Sequence, residues 1–377
     1  MLRTLVLMAV AGGVVGTEHA AWGQRAPVGF YRSGIPEGHG DTPIGGMTAD
    51  GERLIGYSSR LGGGPRDSFT WRPGTPLVIT PDPAPSYNQY TGLSANGERA
   101  VGFRYDTVRG GNSAVTWDPV NGVPTILGYY TGRPNTYAWA VSGDANVVVG
   151  HAERTIGTST FGEPVRWTEQ TGFVSLGQVF PGATNGRAVA TSFDGSAAVG
   201  YGFDSFSGEG MAFRWTESSG YTTYPNLVRI DAITPDGTLM AGATQGGDPV
   251  RFSASGEMTL LDPGHAAFRS SFPLAMSADG NTIIGSGAPW SGPQTLFIWT
   301  QSEGIRRLDE YFQDNGVSIP SGLTLSTEKI YCSADGLVIG GIGRNGLLAE
   351  SWVAVLPPPS SFMIAISFTT LAVRRRR

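Results

Sequence analysis

Seven carboxylate or amide side chains occur in one repeated motif, and their type and spacing are the first hint of chemistry. Each follows a Ser or Thr by two positions, and the motif recurs at intervals of 42 to 56 residues. The seven are Asp50, Asn96, Asp144, Asp194, Asp236, Asp279 and Asp335. A calcium loop alternates several carboxylates, whereas each of these motifs holds one. We therefore predict that these side chains cap tight turns, with the following Gly at positive φ, and hold no metal.

Other residues capable of catalysis or metal binding are few and scattered. His39, His151 and His265 stand singly in stretches rich in Gly and Pro, which we interpret as loops, without metal-ligand spacing. Cys332, the only cysteine, follows an apolar stretch, and we expect a buried, unreactive thiol. The sequence contains no HExxH, GxSxG or phosphate-loop motif. We predict no catalytic residue, no metal and no cofactor.

Aromatic side chains are the best candidates for ligand contacts. They cluster in the segments that join one repeat to the next, which we expect to be loops at one face of a ring. The candidates are Tyr90, Tyr129, Tyr130, Tyr137, Phe268 and Tyr311. Exposed rings at such a face would suit stacking on sugars or contact with a protein. The alternative is that these rings fill gaps between neighbouring repeats.

The motif belongs to a longer repeat that specifies strands. A Gly always lies eight positions after the Ser or Thr, and β-forming apolar residues such as Val147-Val148-Val149 precede it. We expect this closing Gly to end a buried strand, where no side chain fits or where the chain bends. An aromatic residue follows the Ser or Thr by 18 to 25 positions in a third strand, and a Gly-led fourth strand comes next.

Four strands in roughly 47 residues match one blade of a β-propeller. The residue two positions before the Ser or Thr is small in six repeats, as crowding at a propeller axis requires. A parallel β-helix is the main alternative, but its coils are shorter. We predict an all-β, seven-bladed propeller with four antiparallel strands per blade. The third-strand aromatics are expected to lie buried between blades: Trp71, Trp117, Trp167, Trp215, Phe252, Trp299 and Trp352.

The ends of the repeat region predict how the ring closes. The seventh repeat lacks a fourth strand, because Pro357 follows the strand of Trp352 closely. Residues 29–34 precede the first complete repeat and look like a fourth strand. We predict that Phe30 to Ser33 pair with the strand of Trp352, which completes the last blade and leaves no free sheet edge.

Both chain ends have features of export signals. Residues 1–23 have the basic, apolar and small-residue regions of a secretory signal peptide. Residues 357–377 combine a proline motif, an apolar run too short for a secure membrane anchor, and four arginines. We therefore divide the chain into a signal peptide (1–23), a propeller (24–356) and a tail (357–377). The net charge of −5 argues against a nucleic-acid partner.

These patterns resemble known bacterial families. The turn and its strands, over residues 29–356, resemble the extracellular repeat proteins of the HAF family, with Met211-Ala212-Phe213 near the place of that family's His-Ala-Phe. The turn Thr234-Pro235-Asp236-Gly237 is similar to those of periplasmic TolB-like propellers. The tail resembles the PEP-CTERM sorting signal, with Pro357, Pro358 and Pro359 where that family has Pro-Glu-Pro. The resemblance implies export, transient anchoring in the inner membrane by a short apolar helix, and processing by a sorting enzyme.

We therefore expect an exported, non-catalytic module at the cell surface or in the extracellular matrix. Its function would be to bind or scaffold exopolysaccharide or protein at the propeller face. Two alternatives stay open: a passive structural component of the envelope, and an extracytoplasmic enzyme. The enzyme would be a glycan-active hydrolase or lyase with a site assembled from distant loops.

Overall fold

The computed structural model describes residues 25–82, 87–120, 122 and 124–358. The first fourteen strands are β1 (Gly29–Arg32), β2 (His39–Asp41), β3 (Ile44–Met47), β4 (Leu54–Arg60), β5 (Arg66–Trp71), β6 (Val78–Thr80), β7 (Gln89–Leu93), β8 (Ala100–Asp106), β9 (Gly111–Trp117), β10 (Thr125–Ile126), β11 (Asn135–Val141), β12 (Val147–Ile156), β13 (Ser159–Thr168) and β14 (Gly172–Ser175). They are followed by β15 (Asn185–Thr191), β16 (Ala197–Phe203), β17 (Gly210–Thr216), β18 (Gly220–Tyr224), β19 (Leu227–Ile233), β20 (Leu239–Thr244), β21 (Pro249–Ser253), β22 (Met258–Leu260), β23 (Phe268–Met276), β24 (Thr282–Pro289), β25 (Thr295–Thr300), β26 (Gly304–Arg307), α1 (Leu308–Asp314), β27 (Thr324–Cys332), β28 (Val338–Asn345) and β29 (Leu348–Val355).

These strands form seven antiparallel sheets, the blades of a seven-bladed β-propeller, which confirms the predicted fold class. Blade 1 is β2–β6, with β2 and β3 both paired to β4. Blades 2 to 6 are β7–β10, β11–β14, β15–β18, β19–β22 and β23–β26, and blade 7 is β27–β29 with β1. The innermost strands contact one another in sequence, and β27 contacts β3, so the ring is closed.

The last blade closes as the sequence predicts. Strand β1 pairs antiparallel with β29, so that Phe30 lies opposite Ala354 and Arg32 opposite Trp352. The amide of Ser33 extends this pairing by donating to the carbonyl of Ser351 at 2.9 Å. The ring of Phe30 also stacks on Trp352, with centroids 5.4 Å apart. The outermost strand of blade 7 therefore comes from the start of the repeat region.

The repeated turns share one hydrogen-bond pattern. In blade 3, Ser142 Oγ donates to Asp144 Oδ1 at 2.5 Å and accepts from the amide of Val147 at 2.9 Å. The amide of Asn146 donates to Asp144 Oδ1 at 3.1 Å. The other six turns repeat all three bonds. The residue that follows the Asp or Asn has a positive φ in every turn; it is Gly in six turns and Ala145, at φ 65°, in blade 3. The Asp or Asn side chains therefore cap these turns.

The turns also bond to one another around the ring. Backbone hydrogen bonds join turns of adjacent blades: Ala49 to Ala95, Asp144 to Phe193, Phe193 to Pro235, Ala278 to Ala334, and Ala334 to Ala49. The last of these joins blade 7 to blade 1 at 2.7 Å. We call this end of the propeller the turn face. The opposite end, the hairpin face, carries the hairpins between the second and third strands and the loops between blades.

The closing Gly does not end its strand, contrary to the expectation. Gly150 lies inside β12, which continues to Ile156. A Cβ on Gly150 would overlap the carbonyl oxygen of Tyr137 on β11, where the pairing shifts register. The same glycine-to-carbonyl approach recurs in blades 1, 2, 4, 5 and 6. The Gly is required because two backbones come too close for any side chain.

The third-strand aromatics form the core between blades, as predicted. Six of the seven are buried, and Trp215 is half-buried. For example, Trp352 of blade 7 packs in one cluster with Ile284 and Ile298 of blade 6 and Phe312 of α1. Each such cluster removes apolar area from water at a blade interface, which is how the blades are held together.

The predicted signal peptide and most of the predicted tail lie outside the described residues. Residues 1–24 and 359–377 belong to this part, including Pro359 and the apolar run of the tail. Among the described residues, no helix combines the length and apolar character needed to cross a membrane. The domain boundaries at both ends therefore stay predictions.

Candidate functional site

The six predicted aromatic residues lie in three different environments. Tyr90 and Phe268 belong to inner strands, are at most 1% exposed, and pack in the core. Their expected exposure in loops is wrong, because the inner strands begin earlier in the sequence than the pattern indicated. Tyr311 is half-buried on α1, with the Arg306 guanidinium 5.6 Å from its ring centroid. Tyr129 and Tyr130 lie between blades 2 and 3, and Tyr137 lies in β11, the inner strand of blade 3.

Tyr129 and Tyr130 are the two of this set that lie in a loop between blades. The Tyr129 hydroxyl donates to Asp106 Oδ2 at 3.2 Å, and the Arg109 guanidinium lies 4.0 Å from the ring centroid. Tyr129 is 53% exposed, whereas Tyr130 is half-buried, which raises its pKa. In this loop only the Tyr129 ring is largely exposed to solvent, and the Arg109 guanidinium already covers part of it.

Tyr137 belongs to a polar and aromatic cluster at the start of blade 3. Its ring stacks on His151, directly opposite it in the β11–β12 pairing, with centroids 4.5 Å apart. The indole Nε1 of Trp139 donates to His151 Nδ1 at 2.8 Å, which places the imidazole proton on Nε2. The Tyr137 hydroxyl, held by Asn112 Nδ2 at 2.9 Å, donates to Glu153 Oε1 at 3.0 Å.

The charges in this cluster are set by burial and by these contacts. His151 is 2% exposed, and burial lowers its pKa, so the imidazole is neutral at pH 7. Contact with His151 lowers the pKa of Glu153, and the nearby Arg187 adds to the effect. His151 Nε2 lies 3.4 Å from Glu153 Oε2, a close contact without a formed hydrogen bond. Glu153 is therefore an ionised carboxylate held by neutral groups.

Glu153 opens onto a cleft of about 520 Å³ between the hairpins of blades 3 and 4. A second hollow of about 330 Å³ adjoins it and shares Phe161, Thr184 and Asn185. Asn185 Nδ2 donates to Ser205 Oγ at 2.9 Å across the shared wall. We call the two hollows together the blade 3–4 groove. More than half of the residues that line the groove carry amide, hydroxyl or charged side chains.

Two side chains of the groove are available to a ligand. Phe206, at the tip of the blade 4 hairpin, is 73% exposed, with its ring centroid 6.5 Å from that of Phe161. Arg187 makes no hydrogen bond or ion pair with any described residue. Beyond it, Arg133 pairs with Glu163 at 3.1 Å. The groove thus combines an exposed ring, an unpaired cation and a carboxylate.

The central channel is a separate cavity of about 430 Å³. Its wall includes the small residues of the predicted column, from Gly92 to Ala275. Lys329 donates to the carbonyl of Tyr90 at 3.1 Å, and burial lowers its pKa to about 8. Asp231 pairs with Arg229, while Cys332 is half-buried, and burial raises the pKa of its thiol. Lys329 of this wall is thus bonded to a residue of another blade, and Asp231 to a residue of its own strand.

Two histidines are not in loops, contrary to the expectation. His39 lies in β2, and His151 lies in the middle of β12, which continues past the Gly at which the strand was expected to end. Across the described residues, no group of three or more His, Cys, Asp or Glu side chains is placed to hold a metal ion. The turn aspartates are separated by whole blades and face their own backbones.

Solved structures share this fold at low sequence identity. An oligogalacturonate lyase in complex with manganese aligns with a TM-score of 0.55 and 13% identity, over 90% of this chain and 99% of that one. The oligogalacturonate lyase of Vibrio parahaemolyticus aligns with a TM-score of 0.55 and 11% identity, over 88% and 94%. The β-propeller domain of Myceliophteria thermophila Cps50 (Swd1) gives 0.51 and 11%, over 86% and 99%. No protein-family model and no curated protein sequence matches the chain.

His151, Glu153 and Arg187 were not predicted as parts of a candidate site, although one pattern in the sequence pointed to His151. The position nine after the motif Ser or Thr is Tyr57, Phe103, His151 and Tyr201 in the first four repeats. An aromatic or imidazole ring in one column of four successive repeats indicates a shared layer of rings. Combined with the Tyr five positions before Ser142, this column predicts the Tyr137–His151 stack.

Proposed function

We propose that the protein is an exported, non-catalytic binding module of the cell surface or extracellular matrix, which holds a polysaccharide in the blade 3–4 groove. The observation that carries this proposal is the exposed Phe206 ring beside the unpaired Arg187 and the ionised Glu153. Sugar rings stack on aromatic faces, while their hydroxyls bond to carboxylate, guanidinium and amide groups. Two adjoining hollows suit an extended polymer better than a small molecule.

Export rests on the chain ends and on the family resemblance. The signal-peptide pattern of residues 1–23 and the PEP-CTERM-like tail both fit an exported protein, as does the resemblance to extracellular HAF repeats. The export and sorting machinery would then be partners of the two termini. Mass spectrometry of the protein from its native host tests this. We expect an N-terminus close to residue 24 and loss of the residues after Pro359, whereas an intact Arg377 outside the cell contradicts sorting.

A glycan array and titration calorimetry test the groove. We expect the Phe206→Ala and Arg187→Met variants to lose about tenfold or more in affinity for the glycan that the unaltered chain binds. Tyr105→Ala is the matched control, because Tyr105 is 46% exposed on blade 2, outside the groove. Equal losses in the control, or no glycan bound by the unaltered chain, would contradict the proposal.

A glycan-active enzyme is the second candidate, and one observation favours it. Two structures that share the fold are oligogalacturonate lyases, and Glu153 is a carboxylate beside the groove. However, a general base works best with a pKa near the working pH, whereas the pKa of Glu153 is lowered. Incubation with oligogalacturonate, with and without Mn²⁺, distinguishes the two. Ultraviolet absorbance from an unsaturated product, lost in Glu153→Gln, would replace the binding proposal with a lyase.

A further inference from the structure

Five neighbouring hairpins on the hairpin face each carry a large apolar side chain exposed to solvent. They belong to blades 6, 7, 1, 2 and 3, and the side chains are 55 to 94% exposed. We call them the apolar arc: Trp290, Leu347, Leu61, Val108 and Ile156. The turns do not need these residues, since a Gly at positive φ within two positions makes each turn. Trp290 also donates from its indole Nε1 to the carbonyl of His265 at 2.8 Å, but the turns themselves do not require the apolar character of the five side chains.

An exposed arginine accompanies each member of the arc. Arg344, Arg60, Arg109 and Arg154 stand in the same hairpins, within three positions of the tip residue. In blade 6, Arg269 lies on the inner strand, where its neighbour Ser270 pairs with Ala288 beside Trp290. Apolar tips and cations thus coincide in five adjacent blades.

Neither of the two remaining blades combines an apolar tip with a flanking cation. The blade 4 tip, Phe206, is flanked by Asp204 and Glu209, and the blade 5 tip at residues 245–247 has no apolar side chain. The whole chain has a net charge of −5, so the cations of the arc stand out against an acidic background. Within the arc, Arg60 pairs with Asp67 and Arg344 with Glu328, whereas Arg109, Arg154 and Arg269 form no ion pair with any described residue. The charged residues that flank the blade 4 tip in the sequence are carboxylates alone.

The arrangement of the arc fits a flat, deformable surface. Its side chains stand apart on separate hairpins and do not form the continuous apolar patch found at the core of a protein interface. Apolar side chains beside cations are suited to the boundary between acyl chains and anionic headgroups, where each group finds its complement.

We propose that the apolar arc docks the propeller onto an anionic phospholipid bilayer. The five tips enter the interfacial region, and the accompanying arginines contact the headgroup phosphates. The side of the hairpin face with blades 4 and 5 then stays in water. The five tip residues do not line the blade 3–4 groove, although the accompanying Arg154 does. The substitutions proposed below leave Arg154 and the groove unchanged, so the two proposals can be tested separately.

Vesicle co-sedimentation of the full-length chain tests the proposal. One variant combines Leu61→Ser, Val108→Ser and Leu347→Ser, and the matched control combines Val78→Ser, Val120→Ser and Leu260→Ser. The control residues are 44 to 64% exposed and lie outside the hairpin tips, so both variants lose three exposed apolar side chains. A third variant combines Arg109→Gln, Arg269→Gln and Arg344→Gln. The vesicles contain phosphatidylcholine with or without phosphatidylglycerol.

We expect the unaltered chain to bind the vesicles with phosphatidylglycerol, and the tip variant to bind them about tenfold more weakly. The control variant should bind like the unaltered chain. The arginine variant should lose only the preference for phosphatidylglycerol, as should the unaltered chain at high salt. Because the tail is identical in all variants, it does not affect these differences. Equal binding by the tip and control variants would overturn the proposal. A dimer without lipid that the tip substitutions dissociate would overturn it in favour of a second copy of the chain.

Discussion

The two faces of the propeller use repetition in opposite ways. On the turn face, every blade presents the same Ser/Thr–Asp/Asn pair with the same three hydrogen bonds, and the turns bond to each other around the ring. On the hairpin face, the tips differ from blade to blade, from the three glycines after Leu61 to the acidic flanks of Phe206. The difference indicates that the turn face is constrained by the hydrogen bonds that every blade repeats, whereas the hairpin face is free to vary from blade to blade.

The largest expected effect tests the closing Gly of the repeat. Gly150→Ala should destabilise the protein by about 3 kcal/mol, because the added Cβ would overlap a carbonyl oxygen that its paired strand cannot withdraw. Gly210→Ala, on the third strand of blade 4, is the control, since its Cβ would meet neighbours at 3.6 Å, an ordinary contact. Urea unfolding followed by tryptophan fluorescence measures both. Similar losses for the two variants would show that backbone approach is not the reason for the Gly.

A second substitution tests the turn itself. Ser142→Ala removes one buried hydroxyl, which accepts from the buried amide of Val147 and donates to Asp144. A buried amide left without a partner costs about 1–3 kcal/mol, and we expect a loss in this range. Ser142→Thr keeps the hydroxyl and matches the residue at Thr48 and Thr234, so its stability should stay close to that of the unaltered chain. Urea unfolding measures the stability of both variants. Equal stabilities of Ser142→Ala and Ser142→Thr would contradict the capping role of the hydroxyl.

How much of the molecule could be predicted follows from this contrast. The sequence predicted the turns and the buried third-strand aromatics, because each pattern occurs in all seven repeats. It also predicted the closure by Phe30, because the two ends of the repeat region complement each other. The closing Gly was correctly expected at a position where no side chain fits, but its place inside a strand was not expected. The reason for the Gly is the register of β11 against β12, which the sequence does not reveal. Tyr90 and Phe268 were misplaced, since the sequence does not mark where an inner strand begins.

The blade 3–4 groove could not be predicted from the sequence, for a related reason. It depends on how far the hairpins of blades 3 and 4 project and on which side chains meet across two blades. Arg187 comes from the inner strand of one repeat and Phe206 from the hairpin of the same repeat, whereas Glu153 comes from another repeat. No column of the repeat records such contacts.

Acid should weaken the turns of the turn face. The amide of Ser196 lowers the pKa of Asp194, and the hydroxyl of Thr234 lowers that of Asp236, from an ordinary value of 3.8. These carboxylates therefore stabilise the fold above their unfolded pKa, and this contribution is lost as pH falls through the lower folded value. We expect the melting temperature to be constant near pH 6 and to fall below about pH 4. Asp194→Asn, which copies Asn96, keeps the acceptor and should show a shallower fall; an unchanged pH profile would contradict this account.

The smallest effects come from one pair of phenylalanines, one on each face. Phe193 is 49% exposed on the turn face, where its ring covers Gly143 and its backbone bonds to the turns of blades 3 and 5. Phe206 is 73% exposed on a hairpin tip, where no ring lies closer than Phe161 at 6.5 Å. We expect Phe193→Ala to cost about 1 kcal/mol and Phe206→Ala less than about 0.5 kcal/mol, while only the latter weakens glycan binding. Thermal unfolding and calorimetry of the two variants measure both quantities. If Phe206→Ala destabilised the protein more than Phe193→Ala, the Phe206 ring would have a structural role. The contrast between a repeated, stabilising turn pattern and a variable hairpin face would then not hold at Phe206, the residue on which the groove most depends.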